Sequence, residues 1–268
     1  MEKERIAVKL GSNCVADENG IRQDVLNDQA AQLGELGDDY VVAAVITSGA
    51  IAVGKRIWEA NGGVVTDGLA TTYSTIGQGA LTMAWTEAFR QQGVLTGQVL
   101  VTHHDITEAE QGLEGNILAE TLAKNIGSGV INLVNENDAL SDIEIMKLKT
   151  GGDNDGLAAH IAQLVKADHL ILLTDGADGV EDADKQVIGT LDNSNIIGVL
   201  ADLQGVEVSD NSRGGIYSKV QAAFELTNLS GISAHIAGTG SSLRAVLAGQ
   251  AGTNIWAERS KIKAELRK

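Results

Sequence analysis

Two lysines, a serine-glycine pair and two clusters of carboxylates and amides are the residues of this chain whose types and spacing can do chemistry. Lys9 stands in "VKLGSN", two residues before Gly11, and Lys219 follows Gly214 and Gly215 in "GGIYSK". In "TSGAIAVG", Ser48 and Gly49 can present backbone N–H groups at a helix start, a ready cradle for an anion. "INLVNENDAL" carries Asn135, Glu136, Asn137 and Asp138 directly after an apolar run, and "GGDNDG" carries Asp153, Asn154 and Asp155. Cations for an anion beside carboxylates and amides for a polar partner describe a site for a small charged ligand. Each piece also has a plainer reading. A strand lysine is commonly an exposed edge residue, a helix lysine a solvated charge, and an Asp-Asn-Asp run an ordinary helix cap that complements the dipole.

The elements that must position these residues follow from periodicity. Short β-rich runs at 5–10, 41–46, 97–102, 129–134, 169–174 and 233–238 alternate with helical patterns near 22–36, 68–92, 114–126, 154–166 and 214–229. Strands separated by helices predict βαβ crossovers, hence an α/β fold with a mainly parallel central sheet sandwiched by helices. The segment 176–211, with "KQVIGTL" and "VEVSD" between polar turns, reads as a hairpin-bearing excursion. No linker or low-complexity tract divides the 268 residues, so a single domain is expected. Nearly all the unusual residues fall at the carboxyl ends of strands, where open α/β sheets collect their ligands.

Composition removes several function classes. A formal net charge of -16 opposes nonspecific nucleic-acid binding, which needs Lys and Arg against phosphates. No apolar run is long enough for a membrane span and no cationic leader precedes one, so a cytoplasmic protein is expected. The single Cys14 rules out an internal disulfide framework and Cys-based zinc, and the adjacent His103 and His104 would point apart, so no metal-binding residues are assigned. Neither a P-loop nor a GxGxxG fingerprint is present. Proline is absent, where average usage predicts about 13, which leaves the turns to Gly, Asp and Asn.

Eight blocks taken in order, "VKLGSN", "VITSGAIAVG", "TIGQGAL", "QVLVTHHDI", "INLVNENDAL", "GGDNDGLAAHIAQLVKADHLILLTD", "GGIYSKVQAA" and "GISAHIAGTG", resemble the amino acid kinase family, and within it the glutamate 5-kinase branch. "INLVNENDAL" followed by "GDND" is the specific part. The resemblance implies one kinase domain over 1–268, with a glutamate-binding lobe to about residue 165 and a nucleotide-binding lobe beyond it. It implies transfer of the ATP γ-phosphoryl group to the side-chain carboxylate of L-glutamate, the first step of proline biosynthesis, with Mg²⁺ bridging the phosphates. Lys9 and Lys219 match the family's catalytic lysines and Asp155 the aspartate that holds them. Ser48, Gly49, Asn135, Asp138 and Asn154 match the glutamate-binding positions. Gly11, Thr174, Asp175, Gly214, Gly215 and Lys219 match the nucleotide segment. Feedback inhibition by L-proline and assembly as a homo-oligomer, dimer or tetramer, come with the same resemblance.

Departures from the pattern are confined to the nucleotide side. "EDADK" at 181–185 stands where a "DPR"-like turn is usual, and "NSRGGI" stands for "GTGGM". Many bacterial members carry a C-terminal PUA domain that has no counterpart in these residues. Two alternatives stay open: another family member, acetylglutamate or carbamate kinase-like, and a catalytically silent amino-acid sensor. Acetylglutamate lacks the ammonium for which Asp138 would be useful, which favours free glutamate.

Overall fold

The first strand explains the layering. β1 (Arg5–Leu10) is buried from Ile6 to Leu10 and pairs in parallel with β4 (Val41–Thr47) on one side and β7 (His169–Thr174) on the other. Side chains alternate across a strand. Ile6, Val8 and Leu10 therefore pack against α2 (Gln23–Leu36) and α4 (Ala70–Gln91), through residues such as Leu26, Leu33, Trp85 and Phe89. Ala7 packs on the opposite face with Ala158, Ile161 and Ala162 of α7 (Asn154–Leu164) and with Val220 and Ala223 of α9 (Ile216–Ser230). Lys9 shares the face of Ala7. That parity aims it at the helices carrying Asp155 and Lys219.

The computed structural model of the chain describes residues 3–110, 116–140, 154–210 and 215–256. The remaining described helices are α1 (Ser12–Val15), α3 (Ala50–Ala60), α5 (His103–Glu110), α6 (Ile117–Gly127), α8 (Ile196–Asp210) and α10 (Leu243–Leu247). The remaining strands are β2 (Ala16–Asp17), β3 (Gly20–Ile21), β5 (Leu95–Val101), β6 (Val130–Glu136), β8 (Thr190–Leu191), β9 (Ser233–Gly238) and β10 (Thr253–Ile255). Eight strands form one sheet in the order β5-β6-β4-β1-β7-β9-β10-β8, and β2 and β3 form a separate hairpin. All its pairings are parallel except β9 with β10. From β1 the chain first builds toward β4, β5 and β6, then crosses back to lay β7 on the other side of β1. The reversal between β1 and β7 is the kind of switch point at which α/β sheets open a ligand crevice. Among the described residues, no helix is long and apolar enough to cross a membrane.

Two sequence expectations are corrected. The excursion 176–211 does begin with a short hairpin, an antiparallel bridge between Glu181 and Val187, followed by the short β8, but its described remainder to Asp210 is helical. "VEVSD" lies in α8, because "DNSN" starts a helix. The carboxylate of Asp192 accepts the N–H of Ser194 at 2.8 Å, the side chain of Asn195 accepts the N–H of Asp192 at 2.9 Å, and Ile196 N–H bonds to Asp192 O at 3.0 Å. Four residues of alternating polarity do not outweigh a helix already nucleated before them. The second correction is α5, a helix where the sequence offered only a histidine pair. It begins where the carboxylate of Asp105 accepts both the N–H and the hydroxyl of Thr102 at 2.7 Å.

Candidate active site

A cleft of about 800 Å³ opens at the carboxyl ends of β1, β4, β6 and β7. Lys9 and Gly11 line it from β1, Ser48 and Gly49 from the end of β4, Asn135 and Asp138 from β6. Thr174 and Asp175 line it from β7, and Gly215 and Lys219 from the start of α9. Asp155 sits behind this surface. Asn154 opens α7, with its side chain outside the described residues, and Gly214 and Asp153 lie outside them altogether.

Asp155 joins the two lysines. Its carboxylate is 1% exposed; Oδ1 accepts a hydrogen bond from Lys9 Nζ, and Oδ2 accepts one from Lys219 Nζ at 3.1 Å. Lys9 is 2% and Lys219 9% exposed, so neither is a solvated surface charge, and Asp155 is not an exposed cap residue. An ammonium buried without a counter-charge is strongly unfavourable. One carboxylate shared by two ammonium groups holds both in position and leaves positive character for an anion entering the cleft. Removing Asp155 would set the two cations against each other.

The polar end of the cleft is built on close helix packing. Gly49 caps α3 with φ of 104°, a left-handed geometry, and a Cβ there would lie 2.7 Å from the Val15 side chain. The turn brings Ala50, Ile51 and Ala52 to the cleft wall, where the first N–H groups of α3 have no intrahelical acceptors. α3 itself is pressed onto α4 through Gly54 and Gly77, where added Cβ atoms would meet the carbonyl oxygens of Tyr73 and Ala50 at 1.8 and 2.0 Å. Trp85 of α4 donates its indole N–H to Thr47 Oγ1 at 3.1 Å, fixing the end of β4 beside Ser48.

Asn135 is buried, its Nδ2 donating to Gln78 Oε1 of α4 at 2.6 Å and its Oδ1 accepting the N–H of Glu136 at 2.9 Å. Glu136 is buried as well and also lines the cleft. Burial first, and the neighbouring Glu136 second, push the Asp138 carboxyl up to about 7. This end therefore stores two carboxyls that a cation would separate and stabilise.

On the β7 side, Thr174 lines the cleft while its Oγ1 donates to Ala177 O at 2.7 Å, shaping the turn there. Asp175 is exposed and pairs with Arg22 at 2.6 Å. The "EDADK" segment does face the cleft, through Glu181, Asp182 and Lys185. Asp182 closes the turn by accepting the N–H groups of Asp184 at 2.9 Å and Gln186 at 3.0 Å, with Lys185 left-handed at φ 63°. Cys14 is buried, donates weakly to Leu173 O, and has its thiol pushed up by that burial. It behaves as a packing residue.

Residues 4–238 match the sequence profile of the Amino acid kinase family. The chain belongs to the amino acid kinase family. Among curated relatives, the glutamate 5-kinase of Bacillus mycoides (strain KBAB4) is 36% identical over 245 residues, 90% of this chain and 64% of that protein. The glutamate 5-kinase of Cereibacter sphaeroides is 33% identical over 223 residues, 82% of this chain and 58% of that protein. The chain thus spans less than two thirds of the length of these curated relatives. Among solved structures, carbamate kinase from Giardia lamblia bound to AMP-PNP aligns with TM-score 0.68 at 15% identity, over 96% of this chain and 99% of that one. UMP kinase from Ureaplasma parvum aligns with TM-score 0.58, also at 15%, over 95% of this chain and 100% of that one. These likenesses establish the amino acid kinase fold.

Three cleft-side residues escaped the sequence reading. Gln78 carried a signal, a lone amide in the small-residue run "TIGQGAL". Lys55 and Arg22 carried none, since a lysine and an arginine at helix positions ordinarily mark a solvated face.

Proposed function

We propose that this chain transfers the γ-phosphoryl group of ATP to the side-chain carboxylate of L-glutamate, forming glutamyl 5-phosphate and ADP. The observation that carries this reading is the buried carboxylate of Asp155 held between Lys9 and Lys219, at the centre of a cleft with carboxyls and amides at one end. A glutamate side chain, with an ordinary pKa near 4.3, is already ionised at neutral pH, so the acceptor needs no general base. The obstacle is repulsion between two anions that must meet in line. Lys9 and Lys219 oppose that repulsion, and their effect grows as negative charge spreads over the transferring group.

Glutamate lies with its ammonium toward Asp138, its binding loop supported by Asn135, Asn154 a further contact by the family match, and Ser48 and Gly49 offering neutral donors. ATP takes the side bounded by Gly11, Thr174, Asp175 and Gly215, with Gly214 assigned to it by the family match alone, which divides the domain near residue 165 into a glutamate lobe and a nucleotide lobe. Mg²⁺ accompanies the nucleotide, held by phosphate and water oxygens. This suits a cleft in which Asp155 is committed to two lysines. Proline inhibition and assembly into a dimer or tetramer belong to the same reading.

The test is incubation with ATP, Mg²⁺, glutamate and hydroxylamine, which traps an acyl phosphate as a hydroxamate. Hydroxamate and ADP forming in equal amounts and only with glutamate are expected. ADP formation with carbamate or acetylglutamate but not glutamate would overturn the substrate. No turnover with any of them, together with retained glutamate binding, would make the chain a sensor.

A further inference from the structure

Among the described residues four lysines line the cleft, and three of them have carboxylate partners. Lys9 and Lys219 share Asp155, and Lys185 pairs with Glu181 at 3.4 Å. Lys55 pairs with no carboxylate among the described residues. Its ammonium lies 6.0 Å from the ring centroid of the fully buried Tyr73. In a chain with 36 carboxylates and 20 Lys and Arg, a half-buried cleft cation without a carboxylate is against the odds of composition. Tyr73 is itself fixed, its hydroxyl accepting the N–H of Thr66 at 2.9 Å and its ring meeting Trp58 edge-on. The lysine stem therefore rests on a rigid platform.

Lys55 follows Ile51 and Ala52 by one helical turn on α3, and all three line the cleft. Side chains on a helix lean toward its N-terminus, which carries Lys55 back toward Ser48 and Gly49. The other side of Lys55 borders an adjoining cavity of about 450 Å³, with Asp17, Glu18, Arg56 and Glu59 in its wall. Of these, Asp17 and Glu18 are exposed and Arg56 is paired with Glu59 at 2.8 Å. Lys55 thus stands at the partition between the two spaces, on the side of the cleft away from the nucleotide segment.

We infer that Lys55 is a specificity-determining residue that receives the α-carboxylate of the amino-acid substrate. This rests on the glutamate reading above. Glutamate has three charged groups. Its ammonium has Asp138 and Glu136, and the side-chain carboxylate has the Lys9–Asp155–Lys219 array. Among the described residues the α-carboxylate has neutral donors at Ser48 and α3, and Lys55 is the cation that can join them. A charge-assisted hydrogen bond of this kind discriminates by roughly 10- to 100-fold against a ligand lacking the charge.

The test compares glutamate with isoglutamine, which keeps the ammonium and side-chain carboxylate but has an α-carboxamide. Trapped hydroxamate is measured for the wild type, Lys55→Gln, Lys55→Met and Lys55→Arg. Lys55→Met keeps an unbranched stem over Tyr73 without the charge. The wild type is expected to prefer glutamate in kcat/KM by roughly 10- to 100-fold. Lys55→Gln and Lys55→Met are expected to reduce that preference to about threefold or less, through KM more than kcat, and Lys55→Arg to restore most of it. Wild-type preference persisting in both neutral variants overturns the inference while leaving the function intact. A wild type that makes no hydroxamate from glutamate overturns the function reading and this inference together.

Discussion

Asp138 should make glutamate affinity depend on pH across the neutral range. Its carboxyl is raised to about 7 by burial and by Glu136, and the substrate ammonium is attracted only to its ionised form. A group with pKa about 7 is roughly nine-tenths ionised at pH 8 and one-tenth at pH 6. The ratio is about tenfold, equivalent to about 1.4 kcal/mol of glutamate binding. Both substrate carboxylates stay ionised between those limits. The apparent glutamate affinity, measured by calorimetry or as KM in the hydroxamate assay, should therefore weaken about tenfold from pH 8 to pH 6. The nucleotide affinity should change far less, since Asp138 lies at the other end of the cleft. Because Glu136 shares the field, the midpoint belongs to the pair rather than to one residue. Asp138→Asn should bind glutamate more weakly at pH 8, by on the order of 2 kcal/mol for loss of a desolvated charge partner, and lose most of the slope. An Asp138→Asn variant with unchanged affinity, or with the full tenfold slope retained, would refute the reasoning and remove Asp138 from the ammonium site.

Lys9→Ala and Lys219→Ala should each lower kcat by roughly 10²- to 10³-fold, with a much smaller rise in the glutamate KM, because these charges act mainly on the transferring group. Steady-state kinetics showing kcat intact and only KM raised would reject that role. Far from the cleft, His235 should make the fold sensitive to acid. Asn254 gives its amide N–H to Gly189 O at 3.3 Å, so its oxygen faces His235 Nδ1 at 2.7 Å and the imidazole donates there. Burial, then His169, lower the His235 pKa to about 3. The unfolded chain takes up a proton near pH 6.5 that the folded chain refuses, so stability falls as pH drops from 6.5 toward 3, by about 2 kcal/mol at pH 5. Urea unfolding at pH 7 and pH 5 should show this loss in the wild type and a shallower one in His235→Gln; parallel losses would exclude His235 as its source.

The alternation of short β-rich runs with helical patterns was sufficient for the fold class, because crossover helices and buried parallel strands leave separate periodicities. Boundaries of β1, β7, β9, α2 and α4 came within a few residues for the same reason. Short or late elements did not: β10 is three residues long, α10 is five, and the antiparallel turn to β10 leaves no periodic trace. The missing prolines pointed to turns made by other residues, and Asp182 closing the turn before Gln186 is one such turn.

The candidate site divides in the same way. The residue types of Lys9, Asp155 and Lys219 could be read from the chain, but each also had a bland interpretation as an edge lysine, a cap or a solvated charge. The choice lay in the sheet order, which makes β1 a central strand, and in the parity that turns Lys9 toward α7 and α9. Lys9 and Asp155 are 146 residues apart, and Asp155 and Lys219 are 64 apart. Gln78 and Lys55 depended still more on tertiary structure, since their significance comes from Asn135 on another element and from a cleft that neither helix forms alone. Periodicity is set by neighbours within a few residues and is written locally. Burial, pairing and pKa are set by whatever the folded chain brings alongside, so they exist only once β1 lies between β4 and β7.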